Sequence, residues 1–363
     1  MTSTAAFRDL TTLRVGGDIA DFRQPSTRAE LIETFQSVSS SREPWFLLGG
    51  GSNIVVSDDP FDGVVIHVAT RGIDRRDDNG RVLVTAQAGE SWDDLVAWTV
   101  DNGLAGLEAL SGIPGTVGAA PIQNIGAYGS ELSDTFESLQ FVPAGRGDVE
   151  TLTRDDLRFG YRTSALKEGR VGLVVSVTFA LTASDQSTPI AFEQLARALN
   201  VEMGDSVALA DIRRTVWDLR ASKGMVLGND PDSVSVGSFF VNPVVSDAVS
   251  RTLPGDAPRF PIDADRQPVV VPLGTEPDYP DFTSGPGDVK LSAAWLIEHA
   301  GIPKGFGLAG SDAAVSSKHT LAITNRGQAT AADVLELARY ISIRVHDTFG
   351  IILTPEPTMI GFD

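Results

Sequence analysis

The stretch GLEALSGIPGTVGAAPIQNIGAYGSEL, residues 106–132 and hereafter the glycine-rich stretch, is the most informative feature of this chain. Within it Gly112, Gly115 and Gly118 recur every third residue, and the polar pair Gln123 and Asn124 follows. Glycine permits close backbone approach and positive φ, so successive N–H groups can form a concave nest for a phosphate or pyrophosphate. Taken alone, the stretch is also typical of a turn-rich loop that binds nothing.

A second glycine segment, GGGSN at residues 49–53, is hereafter the GGGSN loop. The apolar run WFLL (residues 45–48) enters it, and the β-branched runs IVV (54–56) and VVI (64–66) follow it. Such runs predict strands, whereas a Rossmann fingerprint opens a helix, and the chain has no G-K-[ST] P-loop signature. The two segments together suggest two backbone cradles for one extended anionic cofactor.

Composition predicts a multidomain globular protein. A chain of 363 residues exceeds the usual size of a single core, and its 42% hydrophobic and 21% charged residues are ordinary. The absence of cysteine excludes disulfides, thiolate metal sites and cysteinyl flavin attachment. The four histidines show no metal-ligand spacing, so the sequence predicts no metal site.

The charge balance and the N-terminal sequence restrict the binding partners and the cellular location that we expect. A net charge of -19 argues against nucleic-acid binding, which depends on basic patches, although local positive charge can still hold a small anionic ligand. The first 17 residues contain no apolar signal-peptide core, and no apolar run approaches membrane-spanning length. The sequence therefore predicts a cytoplasmic protein without membrane insertion.

Capping signals and apolar periodicity predict the regular elements. Thr27 with Glu30 opens one helix, Ser91 caps another that stops at Gly103, and Thr330 caps a last helix that ends before Gly350. Further helices are predicted over residues 192–200, 211–221 and 292–299. Strands are predicted over residues 81–88, 138–142, 171–181 and 351–353, and the charged run 74–80 is predicted to be a solvated turn.

Five motifs occur in an order that carries a resemblance: LGGGSNIVV (48–56), SGIPGTVGAAPIQNIGAYG (111–129), FGYRTS (159–164), GSFFVNP (237–243) and LTPEP (353–357). Their order and wording resemble the UDP-N-acetylenolpyruvoylglucosamine reductase family. These flavin enzymes make UDP-N-acetylmuramate for peptidoglycan, and the resemblance spans nearly the whole chain.

The resemblance implies an α+β fold, with a two-part FAD-binding domain of the vanillyl-alcohol-oxidase (PCMH) type and a smaller α+β substrate-binding domain. We expect the FAD domain over residues 14–183, with two subdomains that divide near residue 70, and connecting helices over 184–222. The substrate domain is expected over 223–328. The C-terminal helix and strand, 329–363, are expected to return Glu356 to the active site.

The resemblance also implies the chemistry: FAD, held non-covalently, passes a hydride from NADPH to UDP-N-acetylglucosamine enolpyruvate. Reduction of this enol ether needs a group that binds the carboxylate and a proton donor. The implied catalytic residues are Arg162, whose guanidinium matches a carboxylate bidentately, Ser238 as proton donor, and Glu356, which stabilises the enol intermediate or relays a proton. Without the resemblance, Arg162 is more typical of a surface arginine and Ser238 of a turn serine, and Glu356 is equally typical of an edge strand.

The resemblance also implies substrate contacts for Tyr128, Lys223 and Asn242, although Lys223 is otherwise a solvated surface lysine. His319, in SSKHT, is a weaker candidate near the same pocket and is as readily a structural histidine. The cofactor-binding residues are Gly49, Gly50, Gly51, Ser52, Asn53, Ile113, Pro114, Gly115, Thr116, Gly118, Ala119, Gln123, Asn124, Gly126 and Ala127.

Two departures from the family pattern stand near the expected substrate contacts. Phe192 lies where relatives with a substrate-covering loop carry a tyrosine, which removes a hydroxyl contact to the diphosphate. The residues after Lys223 read GMVL in place of an LPDP-like segment. Two other readings stay open from the residues: a flavin oxidase of the same superfamily acting on a sugar or alcohol, and a non-catalytic nucleotide-sugar or flavin-binding protein.

Overall fold

The computed structural model describes residues 5–78, 80–145, 147–261 and 287–362. The chain forms two compact units, the first comprising Met1–Ser235 with Met359–Asp363 and the second Val236–Thr358. This division falls 13 residues after the position where the sequence-based domains change at 223, and it assigns the last long helix to the second unit. Part of the expected substrate domain, residues 262–286, lies outside the described residues.

The first unit begins with a three-stranded parallel sheet of order β1-β4-β2. Its elements are α1 (Phe7–Leu10), β1 (Ile19–Arg23), α2 (Arg28–Ser39), β2 (Trp45–Leu48), β3 (Ile54–Val56) and β4 (Phe61–His67). The expected capping box is present, because Thr27 accepts from the N–H of Glu30 and the Glu30 carboxylate accepts from Thr27. Helix α2 buries Leu31 and Phe35 and thereby covers the sheet.

A larger, antiparallel sheet follows, of order β11-β10-β12-β6-β5, with β7 paired to the end of β12. This part of the first unit comprises β5 (Ile73–Asp78), β6 (Arg81–Gln87), α3 (Trp92–Asp101), β7 (Leu104–Ala105), β8 (Gly126–Ala127), β9 (Ser130–Glu131), β10 (Phe136–Pro143), β11 (Glu150–Thr153), α4 (Arg154–Leu157) and β12 (Gly172–Ala183). Strands β8 and β9 pair with each other in a separate hairpin. The strands predicted over 81–88, 138–142 and 171–181 and the helix after Ser91 are confirmed.

Two helices, α5 (Glu193–Leu199) and α6 (Leu209–Ser222), complete the first unit and confirm the helices predicted there. They pack on each other through Leu195, Ile212 and Val216. Helix α6 also lies against the residues that precede the glycine repeat and against α3. It therefore carries its side chains to the edge of the glycine-rich stretch.

The second unit contains a three-stranded antiparallel sheet of order β13-β15-β14 and a hairpin of β16 and β17. Its elements are β13 (Val244–Ser246), α7 (Asp247–Ser250), β14 (Arg259–Pro261), β15 (Asp288–Leu291), α8 (Ala293–His299), β16 (Ala313–Val315), β17 (Ile323–Asn325) and α9 (Ala331–Phe349). Ser292 and Thr330 cap α8 and α9, which confirms both predicted helices.

The predicted turn over residues 74–80 is wrong. Strand β5 occupies most of this run and pairs antiparallel with β6, so only Gly80 of the described residues is left to the turn, while Asn79 lies outside them. The Asp and Arg side chains of this run are exposed to solvent, as their charge predicts, because β5 is the edge strand of its sheet. Local charge reports exposure, whereas the pairing with β6 decides the backbone conformation.

The predicted strand over residues 351–353 is also wrong. These residues form no regular strand, and Ile352 is 72% exposed. The last strand is β18 (Thr358–Ile360), which pairs with β3 and begins only after Pro355 and Pro357. Proline cannot donate to a strand ladder, so regular pairing starts beyond both prolines.

No helix among the described residues is long and apolar enough to cross a membrane.

Candidate functional site

The GGGSN loop and the glycine-rich stretch lie in direct backbone contact within the first unit. A Cβ atom at Gly50 would come within 2.8 Å of the Cα of Gly115, so only glycine allows this approach. The hydroxyl of Ser52 donates to the carbonyl of Pro114 at 3.0 Å. The amide of Asn53 donates to the side-chain oxygen of Gln123 at 2.9 Å. The two segments predicted to cradle one cofactor are therefore brought together.

The two segments differ in how their N–H groups are used. Within the described part of the chain, no group accepts a hydrogen bond from the backbone N–H of residues 49–53. In the glycine-rich stretch, by contrast, Val117 donates to Glu90 at 2.9 Å and Gly118 donates to Ala88 at 2.8 Å. The GGGSN loop is thus a nest of available donors, and the glycine-rich stretch is the wall fixed beside it.

Asn124 organises the end of the glycine-rich stretch. It is buried and adopts the left-handed conformation with φ of 47°. Its amide nitrogen donates to Glu131 Oε2 at 2.7 Å and to the Gly160 carbonyl at 3.1 Å, and its side-chain oxygen accepts from the N–H of Ser133 at 3.0 Å. The Asn124 side chain therefore holds the end of the glycine-rich stretch in place.

Arg162 lies where this loop meets the FGYRTS turn. Its Nη2 donates to the carbonyl of Gly126 at 2.7 Å and its Nη1 to that of Asn124 at 3.4 Å. Its own φ is 56°, in the left-handed region that non-glycine residues rarely adopt. Reciprocal backbone bonds between Gly160 and Thr163, at 3.1 and 3.3 Å, hold this strained turn. Strained backbone of this kind clusters at functional sites.

Tyr128, Lys223 and Phe192 form one group in the first unit. The Lys223 ammonium lies 5.5 Å from the centroid of the Tyr128 ring and donates to Gln194 at 3.1 Å. Phe192 meets the same ring edge-on, with centroids 5.8 Å apart. Burial and then the charge of Arg220 lower the pKa of Lys223, and burial raises the pKa of Tyr128. The predicted substrate contacts Tyr128 and Lys223 are thus adjacent.

Arg220 belongs with this group and escapes the sequence analysis. Its Nε donates to the carbonyl of Gly112 at 3.0 Å and its Nη2 to that of Met225 at 3.3 Å. Burial lowers its pKa, and no carboxylate pairs with it across the described ranges. The sequence offers one signal for Arg220: it lies three residues before Lys223 and four after Val216, on the same face of α6.

An ion pair that the sequence analysis also misses holds α6 against the glycine-rich stretch. Arg213 donates from Nη1 and Nη2 to the two oxygens of Asp93 at 2.7 and 2.8 Å. The same carboxylate accepts from the N–H of Gly112 at 2.6 Å. The pair of Arg213 with Asp93 therefore holds α6 beside Gly112, whose carbonyl also accepts from Arg220.

The GMVL segment after Lys223 forms the turn that ends α6. Gly224 has φ of 69°, and a Cβ there would lie 2.7 Å from the Cβ of Asp232, so this position requires glycine. Met225 donates from its N–H to the Arg220 carbonyl at 2.9 Å. The GMVL segment, which departs from the family pattern, thus forms the turn at the end of α6, the helix end that carries Arg220 and Lys223.

The second unit collects Ser238, His319 and Glu356 around one buried phenylalanine, Phe239. The N–H of Phe239 donates to the Leu321 carbonyl at 2.7 Å, and its carbonyl accepts from the N–H of Glu356 at 2.9 Å. His319 Nδ1 accepts from the N–H of Leu321 at 3.2 Å. Three segments distant in sequence therefore meet beside Ser238.

Asn242 lies on the same segment, four residues after Ser238. Its side-chain oxygen accepts from the N–H of Ala293 at 2.9 Å, which fixes the start of α8. Its amide N–H groups take no part in this bond and can donate to a ligand. The structure thus places the predicted residues in two sets, with the cofactor loops, Arg162, Tyr128 and Lys223 in the first unit and the others in the second.

Comparison with known proteins identifies the two parts of the chain. A family model described as an FAD binding domain matches residues 20–153. A second, described as the C-terminal domain of UDP-N-acetylenolpyruvoylglucosamine reductase, matches residues 230–360. FAD is thus the cofactor of this chain, and the GGGSN loop fits it, because its available N–H groups suit a pyrophosphate.

Relatives that match along the whole chain carry one name. The UDP-N-acetylenolpyruvoylglucosamine reductase of Leifsonia xyli subsp. xyli is 51% identical and covers 99% of both chains. That of Thermobifida fusca is 46% identical, over 97% of this chain and 96% of its own. The crystal structure of the Thermus caldophilus enzyme has a TM-score of 0.63 at 27% identity and covers 99% of this chain and 98% of its own. The chain therefore belongs to the UDP-N-acetylenolpyruvoylglucosamine reductase family.

Proposed function

We propose that this chain reduces the enolpyruvyl ether of UDP-N-acetylglucosamine enolpyruvate to UDP-N-acetylmuramate, with NADPH as hydride donor. FAD, when bound, accepts the hydride from NADPH and delivers it to the terminal alkene carbon. The observation that carries the proposal is the nest of available N–H groups at residues 49–53, in the same unit as Arg162, Lys223 and Arg220.

Arg162 is proposed to bind the substrate carboxylate. Negative charge grows on that carboxylate after hydride delivery, and a guanidinium matches it bidentately without losing its own proton. Nη1 and Nη2 of Arg162 each donate to one carbonyl of the glycine-rich stretch, which orients the guanidinium before a substrate arrives. A cation oriented in advance stabilises the developing charge without reorganisation.

Lys223 is proposed to bind the diphosphate of the substrate, with Arg220 adding positive charge beside it. Neither side chain has a carboxylate partner in the ranges that the structure describes. A half-buried cation without an acidic partner gains stability from an anionic ligand. Phe192 contributes an apolar edge against Tyr128 in this group.

The groups proposed to supply the proton lie in the second unit. Ser238 is the proposed donor to the carbon that bears the carboxylate, and Glu356 and His319 are proposed to assist it or contact the substrate. Phe239 and Phe240 next to Ser238 are both buried. Their rings exclude water on one side and strengthen nearby polar interactions. Asn242 contacts the substrate through its amide N–H groups in this proposal.

The proposal includes a non-covalent flavin and a cytoplasmic site of action. The chain has no cysteine, and neither glycine segment contains a histidine, so the expected covalent attachment residues are missing there. The net charge of -19 supports a protein that does not bind nucleic acid. Acid precipitation should release all flavin to the supernatant, whereas yellow colour in the pellet would contradict non-covalent binding.

Anaerobic mixing tests the function. The holoenzyme should lose its oxidised flavin absorbance on mixing with NADPH and recover it on adding UDP-N-acetylglucosamine enolpyruvate. Rapid recovery with oxygen but not with the enolpyruvyl substrate would identify a flavin oxidase instead. A protein that purifies without flavin, or whose flavin neither reagent changes, would be a binding protein.

A further inference from the structure

Four buried side-chain atoms lack a hydrogen-bond partner among the described residues: His67 Nδ1, Thr70 Oγ1, Gln87 Oε1 and Thr135 Oγ1. Three of them belong to one short region, the end of β4, the connection from β4 to β5 and the end of β6. Buried polar groups nearly always have a partner, and a few exceptions are ordinary in a chain of this length. Their clustering is the notable feature, because a ligand bound in this one region would supply three of the four missing bonds.

This region lies between the two glycine segments. Val68, next to His67, donates from its N–H to the carbonyl of Leu48 at 2.8 Å, immediately before the GGGSN loop. On the other side, a Cβ at Gly89 would lie 2.4 Å from the backbone nitrogen of Thr70. Gly89 in turn follows Ala88, whose carbonyl accepts from the glycine-rich stretch at 2.8 Å. Backbone contacts therefore connect Thr70 to both walls of the cofactor cradle.

The three side chains share a chemistry that differs from that of the nest. Thr70 is 2% exposed, and its hydroxyl can both donate and accept. The free atom of Gln87 is an acceptor oxygen. Burial, and secondarily the charge of Arg71, lowers the pKa of His67, so its imidazole is neutral at neutral pH. Neutral donors and acceptors suit hydroxyl groups and ring nitrogens, whereas the backbone nest suits phosphate.

We propose that His67, Thr70 and Gln87 form a polar binding site for the uncharged part of FAD, its sugar hydroxyls and ring nitrogens. This inference rests on FAD binding at the GGGSN loop, and it assigns these side chains to cofactor retention. Their unmet hydrogen bonds are then completed when the cofactor binds. In this proposal the glycine segments hold the pyrophosphate, and His67, Thr70 and Gln87 add hydrogen bonds to the neighbouring part of FAD.

Thr135 provides a control, because its hydroxyl is also buried and unpartnered, but it lies beside Gly106 at the start of the glycine-rich stretch and outside the region that holds His67, Thr70 and Gln87. Thr70→Val and Thr135→Val remove the same atom and keep nearly the same shape. After dilution of the holoenzyme, flavin fluorescence gives the rate of FAD release. Thr70→Val should release FAD at least about fivefold faster than wild type, the scale of one lost hydrogen bond, and Thr135→Val within twofold of it.

Two further measurements separate a ligand contact from a structural one. Thr70→Ser keeps the hydroxyl and should restore the wild-type release rate within about twofold. In FAD-free protein, both valine variants should unfold at or above the wild-type temperature, because removing an unpartnered buried hydroxyl does not weaken the fold. Should Thr70→Val not accumulate as folded protein, His67→Phe is the second variant, with the same threshold.

Equal FAD release by Thr70→Val and Thr135→Val would overturn the inference, as would a lower unfolding temperature of FAD-free Thr70→Val with unchanged release. Either result leaves the proposed function intact if wild-type protein carries FAD. Wild-type protein that binds no FAD would instead contradict the function on which the inference rests.

Discussion

The two regions that carry the candidate site are built in different ways. In the first unit, the GGGSN loop and the glycine-rich stretch touch through backbone atoms, and ladder bonds to residues 88–92 hold the second segment. In the second unit, Ser238, His319 and Glu356 are gathered by single backbone bonds between three distant segments. The cofactor region therefore depends on the lack of side chains, and the proposed proton-donating region (Ser238, His319 and Glu356) depends on loop placement.

This difference predicts opposite responses to small side chains. In the cofactor region a single methyl group is enough to separate two backbones. In the proton-donating region, substitutions should leave flavin binding intact and change chemistry alone. The following expectations, from the largest effect to the smallest, test that contrast.

Gly50→Ala should nearly abolish FAD retention. Its Cβ would meet the Cα of Gly115 at 2.8 Å, and backbone on both sides leaves no flexible group to yield. Gly228→Ala is the matched control, because a Cβ there meets nothing within 4 Å. The absorbance ratio of flavin to protein after purification measures the effect. Full flavin content in Gly50→Ala would show that the two segments do not need this contact.

Arg162→Lys should lower turnover by ~10²-fold or more if the guanidinium acts in the transition state, because lysine keeps the charge but loses the bidentate geometry. FAD content should stay close to wild type, since the residue contacts carbonyls at the edge of the cofactor region. Steady-state kinetics with NADPH and the enolpyruvyl substrate provide the measurement. Near-normal turnover would assign Arg162 a structural role only.

Arg220→Met should lower turnover by ~10-fold while thermal stability holds or rises. Removing one cation from a half-buried anion site weakens transition-state stabilisation. Removing a desolvated charge that lacks an acidic partner relieves a cost of folding. Steady-state kinetics and a melting curve on the same preparation measure the change in turnover and the change in thermal stability. A marked fall in the melting temperature would mean that Arg220 is chiefly a structural tie between α6 and Gly112.

Arg213→Met should destabilise the first unit by about 3 kcal/mol, because it leaves the Asp93 carboxylate largely buried without its cation. Arg214→Met, on the same helix, removes an exposed pair with Asp211 and should change stability by less than ~0.5 kcal/mol. Chemical denaturation of the two variants, compared with wild type, measures the difference. Equal stabilities would show that the Asp93 pair does not hold α6 in place.

The same contrast explains what the sequence predicts. The GGGSN loop and the capping box of Thr27 and Glu30 are local patterns, so the order of residues alone is enough to predict them. Strand β5 is missed because its charges are local while its pairing with β6 is not. Arg220 looks like any helix arginine, and only its contact with Gly112, 108 positions away, distinguishes it.

The residues of the second unit are predictable only through family motifs. Nothing in the run GSFF indicates that Phe239 bonds to Leu321 and Glu356, because these contacts join segments separated by most of the unit. Ile351, Ile352 and Leu353 look like a strand by composition, but they have no strand partner among the described residues, and composition does not show that. The roles of Ser238, His319 and Glu356 are therefore proposed from their chemistry, whereas the role of the cofactor loops is supported by their geometry.

The central claim is that the cofactor region accepts the hydride and the second unit donates the proton, and Ser238→Ala tests it most directly. Stopped-flow flavin absorbance follows each half-reaction separately. The account predicts reduction by NADPH at close to the wild-type rate and reoxidation by UDP-N-acetylglucosamine enolpyruvate slowed by ~10²-fold or more, with partial recovery in Ser238→Cys. Equal slowing of both half-reactions, or unimpaired reoxidation, would contradict it.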